Sequence, residues 1–217
     1  MDTIKIKVIV GSTRQGRFSE KPARWIFDEA KKLQSVLVEM LDLRDYPMPF
    51  FEEPASPSMI KEPYANPVVA AWTKKISDGD AFIVVVPEYN HGPSAVMKNA
   101  FDYVGKEWNK KPIAFVSYGS VGGARAVEQL RLVAVELQMA PVRTAVHIPW
   151  PVYMAVVGEP VPVKPELFAP VAAAKDSLLE QLVWWARALA SAHVSHCTSC
   201  RWIVSAMRWS SANWRCR

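Results

Sequence analysis

Apolar positions along the chain fall alternately into short continuous runs and into stripes of helical spacing. The stretch "TIKIKVIVG", residues 3–11, begins by alternating and ends unbroken, as a strand does when it enters a sheet covered on both faces. Ala23, Ile26, Phe27, Ala30 and Leu33 then mark one face of a helix, with Pro22 in the first turn, where its missing N–H does no harm. Residues 35–43, "SVLVEMLDL", alternate again as a second strand. The next segment, residues 44–66, carries five prolines and reads as a long loop that places Tyr46, Met48, Phe50 and Phe51 at the surface. A helix over residues 68–77 leads to the run "AFIVVV", a third strand. Met97, Ala100, Phe101 and Val104 form another helical stripe, "PIAFVSYG" a fourth strand, and Val127, Leu130, Ala134 and Leu137 a further helix. "PVRTAVHI" is the fifth strand, and Leu179, Leu182, Val183, Ala186 and Ala190 mark a final helix. Strands alternating with helices predict five parallel strands joined by right-handed crossovers, an α/β doubly wound three-layer sandwich.

Composition changes this picture only at the end of the chain. The 217 residues, half of them apolar, suit one domain with a sizeable core. No apolar run approaches the ~18 residues of a membrane span, and charged residues follow Met1 in place of an apolar signal core, so a cytoplasmic location away from membranes is expected. All three cysteines lie at Cys197, Cys200 and Cys216, leaving the body without thiols, as in a reducing compartment. The formal charge is +5, but the tail after Ala190 contributes four arginines and no acid, so the body stands at +1 and nucleic acid is not an expected partner. We therefore divide the chain into a domain at residues 1–190 and an atypical basic tail at 191–217. The tail reads either as a foreign end or, through His193, His196, Cys197 and Cys200, as a zinc half-site.

The carboxyl ends of the first, third and fourth strands carry special loops, "GSTRQGR", "PEYNHGPS" and "SYGSVGG", and in a doubly wound sheet these ends outline one crevice. The first offers the hydroxyls of Ser12, Thr13 and Ser19, the guanidinium groups of Arg14 and Arg17, and free amides at a helix start, which together suit a phosphate. It lacks the Gly-Lys-Ser/Thr of a Walker loop and the three glycines of a dinucleotide fingerprint, so a mononucleotide fits better. In the second, Pro87 removes a donor and the residues after it offer backbone groups to a planar heterocycle. Gly119, Gly122 and Gly123 in the third allow close backbone approach to a flat ligand.

These three motifs, in this order, with "VPEYNHGPSAVMKNAFDYV" and "SYGSVGGARAVEQLR" the longest, resemble the NADPH-dependent FMN reductase family between about Ile4 and His147. The resemblance implies a flavodoxin-like fold with strand order 2-1-3-4-5, and FMN as cofactor. Ser12, Thr13, Arg14, Arg17 and Ser19 would hold the FMN phosphate. Pro87, Glu88, Tyr89 and Asn90 would border the isoalloxazine, with Ser117, Tyr118 and Gly119 on its other side. Many members carry Asn where this chain has Lys21, which leaves that contact open. NADPH or NADH would donate hydride, and a small-molecule acceptor such as a quinone, azo dye, flavin or metal oxyanion would receive it. No catalytic side chain is required, since the cofactor carries the chemistry. His91 is either a proton donor or a cap, and Arg14 or Arg17 would also suit the 2′-phosphate of NADPH. A homodimer or homotetramer is expected. Two rival readings are a flavodoxin-like electron carrier without enzymatic activity and a flavin-poor interaction protein using the residue 44–66 loop.

Overall fold

A computed structural model describes residues 3–60 and 63–210, with the backbone alone for residues 193–210. In chain order the strands are β1 (Ile4–Val10), β2 (Val36–Asp42), β3 (Ala81–Pro87), β4 (Pro112–Tyr118), β5 (Ala140–Pro141) and β6 (Val146–Ile148). The helices are α1 (Glu20–Ala30), α2 (Pro67–Ser77), α3 (Ala95–Asp102), α4 (Ala124–Glu136), α5 (Trp150–Val157) and α6 (Ala172–Ser210). The sheet is parallel throughout in the order β2-β1-β3-β4-β5, with β6 also on β4. The expected doubly wound, flavodoxin-like architecture is therefore present. The expected fifth strand is broken: β5 pairs with the start of β4 and β6 with its end, along the same edge.

Burial follows from position in the sheet. Every residue of the central strands β3 and β4 is buried, as continuous apolar runs require between two helical layers. One core layer joins the sheet to α1 and α6 through Ile26, Leu178 and Leu182, with Phe168 just before α6 and Val152 and Val156 of α5 added to it. The other joins it to α2, α3 and α4 through Trp72, Phe101 and Leu130. The odd residue is Lys7, a buried lysine in β1, whose ammonium is paired with Glu39 of β2. Removing that partner would leave a buried charge unpaired.

Local sequence sets the helix starts. Asn66 caps α2, accepting from Val68 N at 2.9 Å, with Pro67 at the first turn; Ser94 caps α3 and accepts from Met97 N at 3.3 Å. The proline-rich loop is strapped to α3: Asn99 donates to Pro49 O at 2.7 Å and accepts from Phe51 N at 2.9 Å. Its side chains depart from expectation. Tyr46 packs on Trp72, Phe51 on Tyr103, and Met48 joins the same core, so of the four expected at the surface only Phe50, 76% exposed, is open.

Two helices differ from the sequence reading. Helix α5 was not expected, because "WPVYMAVV" is apolar on every side and shows no period. It buries Val152 and Val156 and leaves Trp150 and Met154 half open. The backbone of α6 runs through the boundary expected at residue 190, and the side chains of His193, His196, Cys197 and Cys200 lie outside the described residues.

Candidate functional site

The three loops meet at the carboxyl ends of β1, β3 and β4, and hydrogen bonds join each to the next. Gly11 N donates to Val85 O at 2.8 Å, and Ser94 Oγ donates to Gly11 O at 2.5 Å. A side chain at Gly11 would put its Cβ 2.8 Å from that same Val85 oxygen, so glycine is required there. The Ser12 and Tyr89 hydroxyls lie 3.0 Å apart, linking the first loop to the second. Glu88 N donates to Tyr118 O at 2.9 Å, linking the second to the third.

In the first loop the residues divide into those turned outward and those committed inward. Arg17 is inward, its side chain 2% exposed: Nε donates to Glu20 at 2.9 Å, Nη1 to Ser12 O at 2.5 Å and to Asp42 at 2.7 Å, and Nη2 to Asp42. Four of its five N–H directions are spent inside the protein, so it shapes the loop from behind. Burial alone would raise the Asp42 carboxyl, but the bonds from Arg17 and from the Arg44 amide hold it below its ordinary value. Arg14 is exposed, with its guanidinium 5.4 Å from the centre of the Tyr89 ring. Thr13 lines a separate cavity of about 330 Å³ with Tyr46, Met48 and Val96.

The inner wall of this loop carries unused polar groups. Ser19 sits at the N-cap of α1 with its hydroxyl fully buried and bonds to none of its own helix amides; the Tyr118 hydroxyl is buried near it, and neither makes a hydrogen bond of ordinary geometry. Burial pushes the Tyr118 phenol up, keeping it a neutral donor. Among the described residues, no backbone or side-chain acceptor takes the amides of Ser12 through Gly16. Unpaired buried polar groups are costly, and a cluster of donors at a helix N-terminus is the environment an anion completes. Phe18 packs on Tyr118 at 4.9 Å and on Tyr153 of α5 at 4.3 Å, forming the floor. Lys21 faces away and donates to Glu159 O beyond α5, so at this position it ties two elements together.

The second and third loops are clasped by an arginine that sequence reasoning missed. Tyr89 and Gly92 exchange both backbone hydrogen bonds, closing a two-residue turn in which Asn90 and His91 hold φ of 50° and 69°. Arg125, at the start of α4, donates its amide to Glu88 at 3.1 Å, its Nε to Glu88 at 2.6 Å, and Nη1 to His91 Nε2 at 2.8 Å. Arginine only donates, so the His91 ring nitrogen accepts, and the imidazole serves the clasp. Burial would raise the Glu88 carboxyl, yet the Arg125 bonds hold it low. Ser117 is fully buried and its Oγ donates to Gly122 O at 2.7 Å; His147 Nδ1, 2.8 Å away, must then carry the proton of that contact. A Cβ at Gly123, where φ is 81°, would fall 2.7 Å from Ser117 Cβ and Tyr118 N.

The structure therefore brings all twelve expected residues to one end of the sheet but gives them different tasks. Ser12, Arg14, Ser19, Tyr89 and Asn90 line or rim the crevice, whereas Arg17, Glu88 and Ser117 spend their polar groups holding loops in shape. Pro87 ends β3 opposite Tyr118 in register, and Gly119 begins the turn beside it. Asp42, Arg44, Arg125, His147 and Tyr153 were not anticipated. Arg125 alone had a local signal, standing just after the paired glycines; the others depend on strand register and on α5.

A parallel doubly wound sheet with a cluster of loop donors after its first strand and glycine-bearing turns after its third and fourth is a flavodoxin-like architecture suited to a mononucleotide. Known proteins agree. A profile of the NADPH-dependent FMN reductase family matches residues 4–150. An NAD(P)H-dependent FMN reductase of Schizosaccharomyces pombe is 38% identical over 149 residues, covering 68% of this chain and 74% of its own. An NAD(P)H:quinone oxidoreductase of Solanum tuberosum is 30% identical over 141 residues, covering 63% of this chain and 70% of its own. The solved structure of the flavoenzyme NAD(P)H:(acceptor) oxidoreductase from Paracoccus denitrificans superposes with a TM-score of 0.63 at 19% identity, over 83% of this chain and 97% of that one, a likeness of fold. The chain belongs to the NADPH-dependent FMN reductase family. It is an oxidoreductase with FMN as cofactor and NAD(P)H as hydride donor. The Ser19 hydroxyl at the start of α1 and the loop amides without a protein acceptor fit the phosphate of that cofactor.

Proposed function

We propose that residues 12–19 hold the FMN phosphate and that residues 87–90 and 117–119 border its ring, in an enzyme that reduces a small quinone-type acceptor. The observation that carries the reading is the buried Ser19 hydroxyl at the start of α1, which bonds to none of its own helix amides and lies beside loop amides without a protein acceptor. Ser12, Ser19 and the amides donate to the phosphate, and Arg14, the exposed guanidinium of the loop, adds charge at its outer edge or meets the 2′-phosphate of NADPH. FMN, when bound, supplies two-electron acceptance from a nicotinamide and release in one or two steps. The chain's own part is to orient: the Arg125–Glu88 clasp ties the second loop to the start of α4, and the phenol of Tyr89 is held by Ser12. No side chain in the crevice is needed as a general base, which agrees with His91 being taken up by Arg125.

Azo dyes, free flavins and metal oxyanions are further acceptors in this reading. A homodimer or homotetramer is expected from the family resemblance. No helix of the described residues is long and apolar enough to cross a membrane. Steady-state oxidation of NADPH with benzoquinone as acceptor tests the assignment. Turnover that depends on both added FMN and quinone supports it, and NADPH left unoxidised in their presence would favour an electron carrier.

A further inference from the structure

Behind the first loop, three successive carbonyl groups are held by two arginines. Ser12 O accepts from Arg17 at 2.5 Å, Thr13 O from Arg44 Nε at 3.4 Å, and Arg14 O from Arg44 Nη2. The arginines are in turn fixed by two carboxylates. Asp42 takes both Nη groups of Arg17 and the Arg44 amide at 2.9 Å, and Glu20 accepts from Arg17 Nε at 2.9 Å and Arg44 Nη1 at 3.0 Å. A trans peptide unit points its C=O and the following N–H in opposite directions. Drawing the carbonyls of residues 12, 13 and 14 to the rear therefore turns the amides of Thr13, Arg14 and Gln15 toward the crevice.

We propose that Arg44 is a positioning residue for cofactor binding, which presets the loop amides for the FMN phosphate without touching it. The inference rests on the reading of residues 12–19 as the phosphate site. Thr13, Arg14, Gln15 and Gly16 are exposed, and the side chain that holds the Thr13 and Arg14 carbonyls is that of Arg44. The four side chains Arg17, Arg44, Asp42 and Glu20 cancel in charge. The cluster therefore acts through the direction of the amide dipoles, as anion-binding nests do. Holding those amides in place before the ligand arrives removes an ordering cost from binding. Arg44 differs from Arg17 in being accessible, its side chain 37% exposed, so replacing it leaves no buried charge behind.

The test compares FMN with riboflavin, which lacks only the phosphate, by quenching of flavin fluorescence on the full chain. For Arg44→Ala the dissociation constant for FMN is expected to rise roughly tenfold or more, the worth of about one charge-assisted bond, while that for riboflavin stays put. Arg44→Lys, which keeps the charge but cannot span two carbonyls and Glu20 at once, is expected to recover only part of the loss. Equal weakening of both flavins would mark Arg44 as merely structural, and unchanged FMN binding would remove its role; either result overturns the proposal. A wild-type protein that binds both flavins alike would instead overturn the phosphate site itself, and the proposal with it.

Discussion

Ser19 and Gly123 show how much one atom decides in this site. Ser19→Ala removes a buried hydroxyl that makes no hydrogen bond of ordinary geometry within the protein, so folding loses little while phosphate binding loses a donor. The expected result is a melting temperature within about 2 °C of wild type with FMN affinity lowered roughly tenfold, read by thermal shift and flavin fluorescence. Gly123→Ala acts through the fold: a left-handed φ and a Cβ 2.7 Å from backbone cost about 1–3 kcal/mol, visible as a lower urea midpoint. Asp42 adds a pH signature. Its carboxyl is held below the ordinary value, so its contribution is complete above about pH 4 and is lost as pH falls further. The stability gap between wild type and Asp42→Asn should therefore be widest near neutrality and close in acid, in melts from pH 7 down to 3. A gap that does not change with pH would remove the Asp42–Arg17 pair from the account. Ser12, Arg14 and Ser19 were legible because a phosphate loop draws its donors from neighbouring residues. The inward commitment of Arg17 was not, because its partner lies 25 positions away and is brought near by the register that sets Val10 beside Asp42.

At the scale of elements, the pattern located every long strand and five of the six helices, because each of those helices has one face in a core and one toward solvent and the central strands are short runs apolar throughout. It failed where that contrast vanishes. The apolar circumference of α5 hid it, and with it Tyr153, whose ring supports Phe18. Tyr153→Ala is expected to destabilise the protein by about 2–3 kcal/mol and to weaken FMN binding along with it, as seen by paired melts with and without flavin. The fifth strand was read as continuous, but its pairing with β4 stops after the Val142 amide and resumes at Val146. His147 thereby reaches Ser117, across 30 residues, a contact no local pattern announces. The loop after β2 was read as exposed because prolines dominate it; Asn99 and the aromatic side chains of α2 and α3 draw it into the second core instead.

At the scale of the whole molecule, the parallel doubly wound sheet follows from strict strand–helix alternation, and the crevice follows from where the order of strands reverses between β1 and β3. The tail does not follow from either. If residues 191–217 are foreign to the domain, a chain ending at Ala190 should keep its FMN affinity and melting temperature, and loss of either would join the tail to the fold. Light scattering should return two or four times the chain mass, with a single-chain mass contradicting the expected homodimer or homotetramer. The central claim concerns electron flow, and one spectrum tests it: purified protein is loaded with FMN, freed of excess, and titrated anaerobically with NADPH. The account expects retained flavin whose visible absorbance bleaches at about one equivalent of NADPH. Retained flavin that NADPH leaves oxidised, or no retained flavin at all, would contradict it.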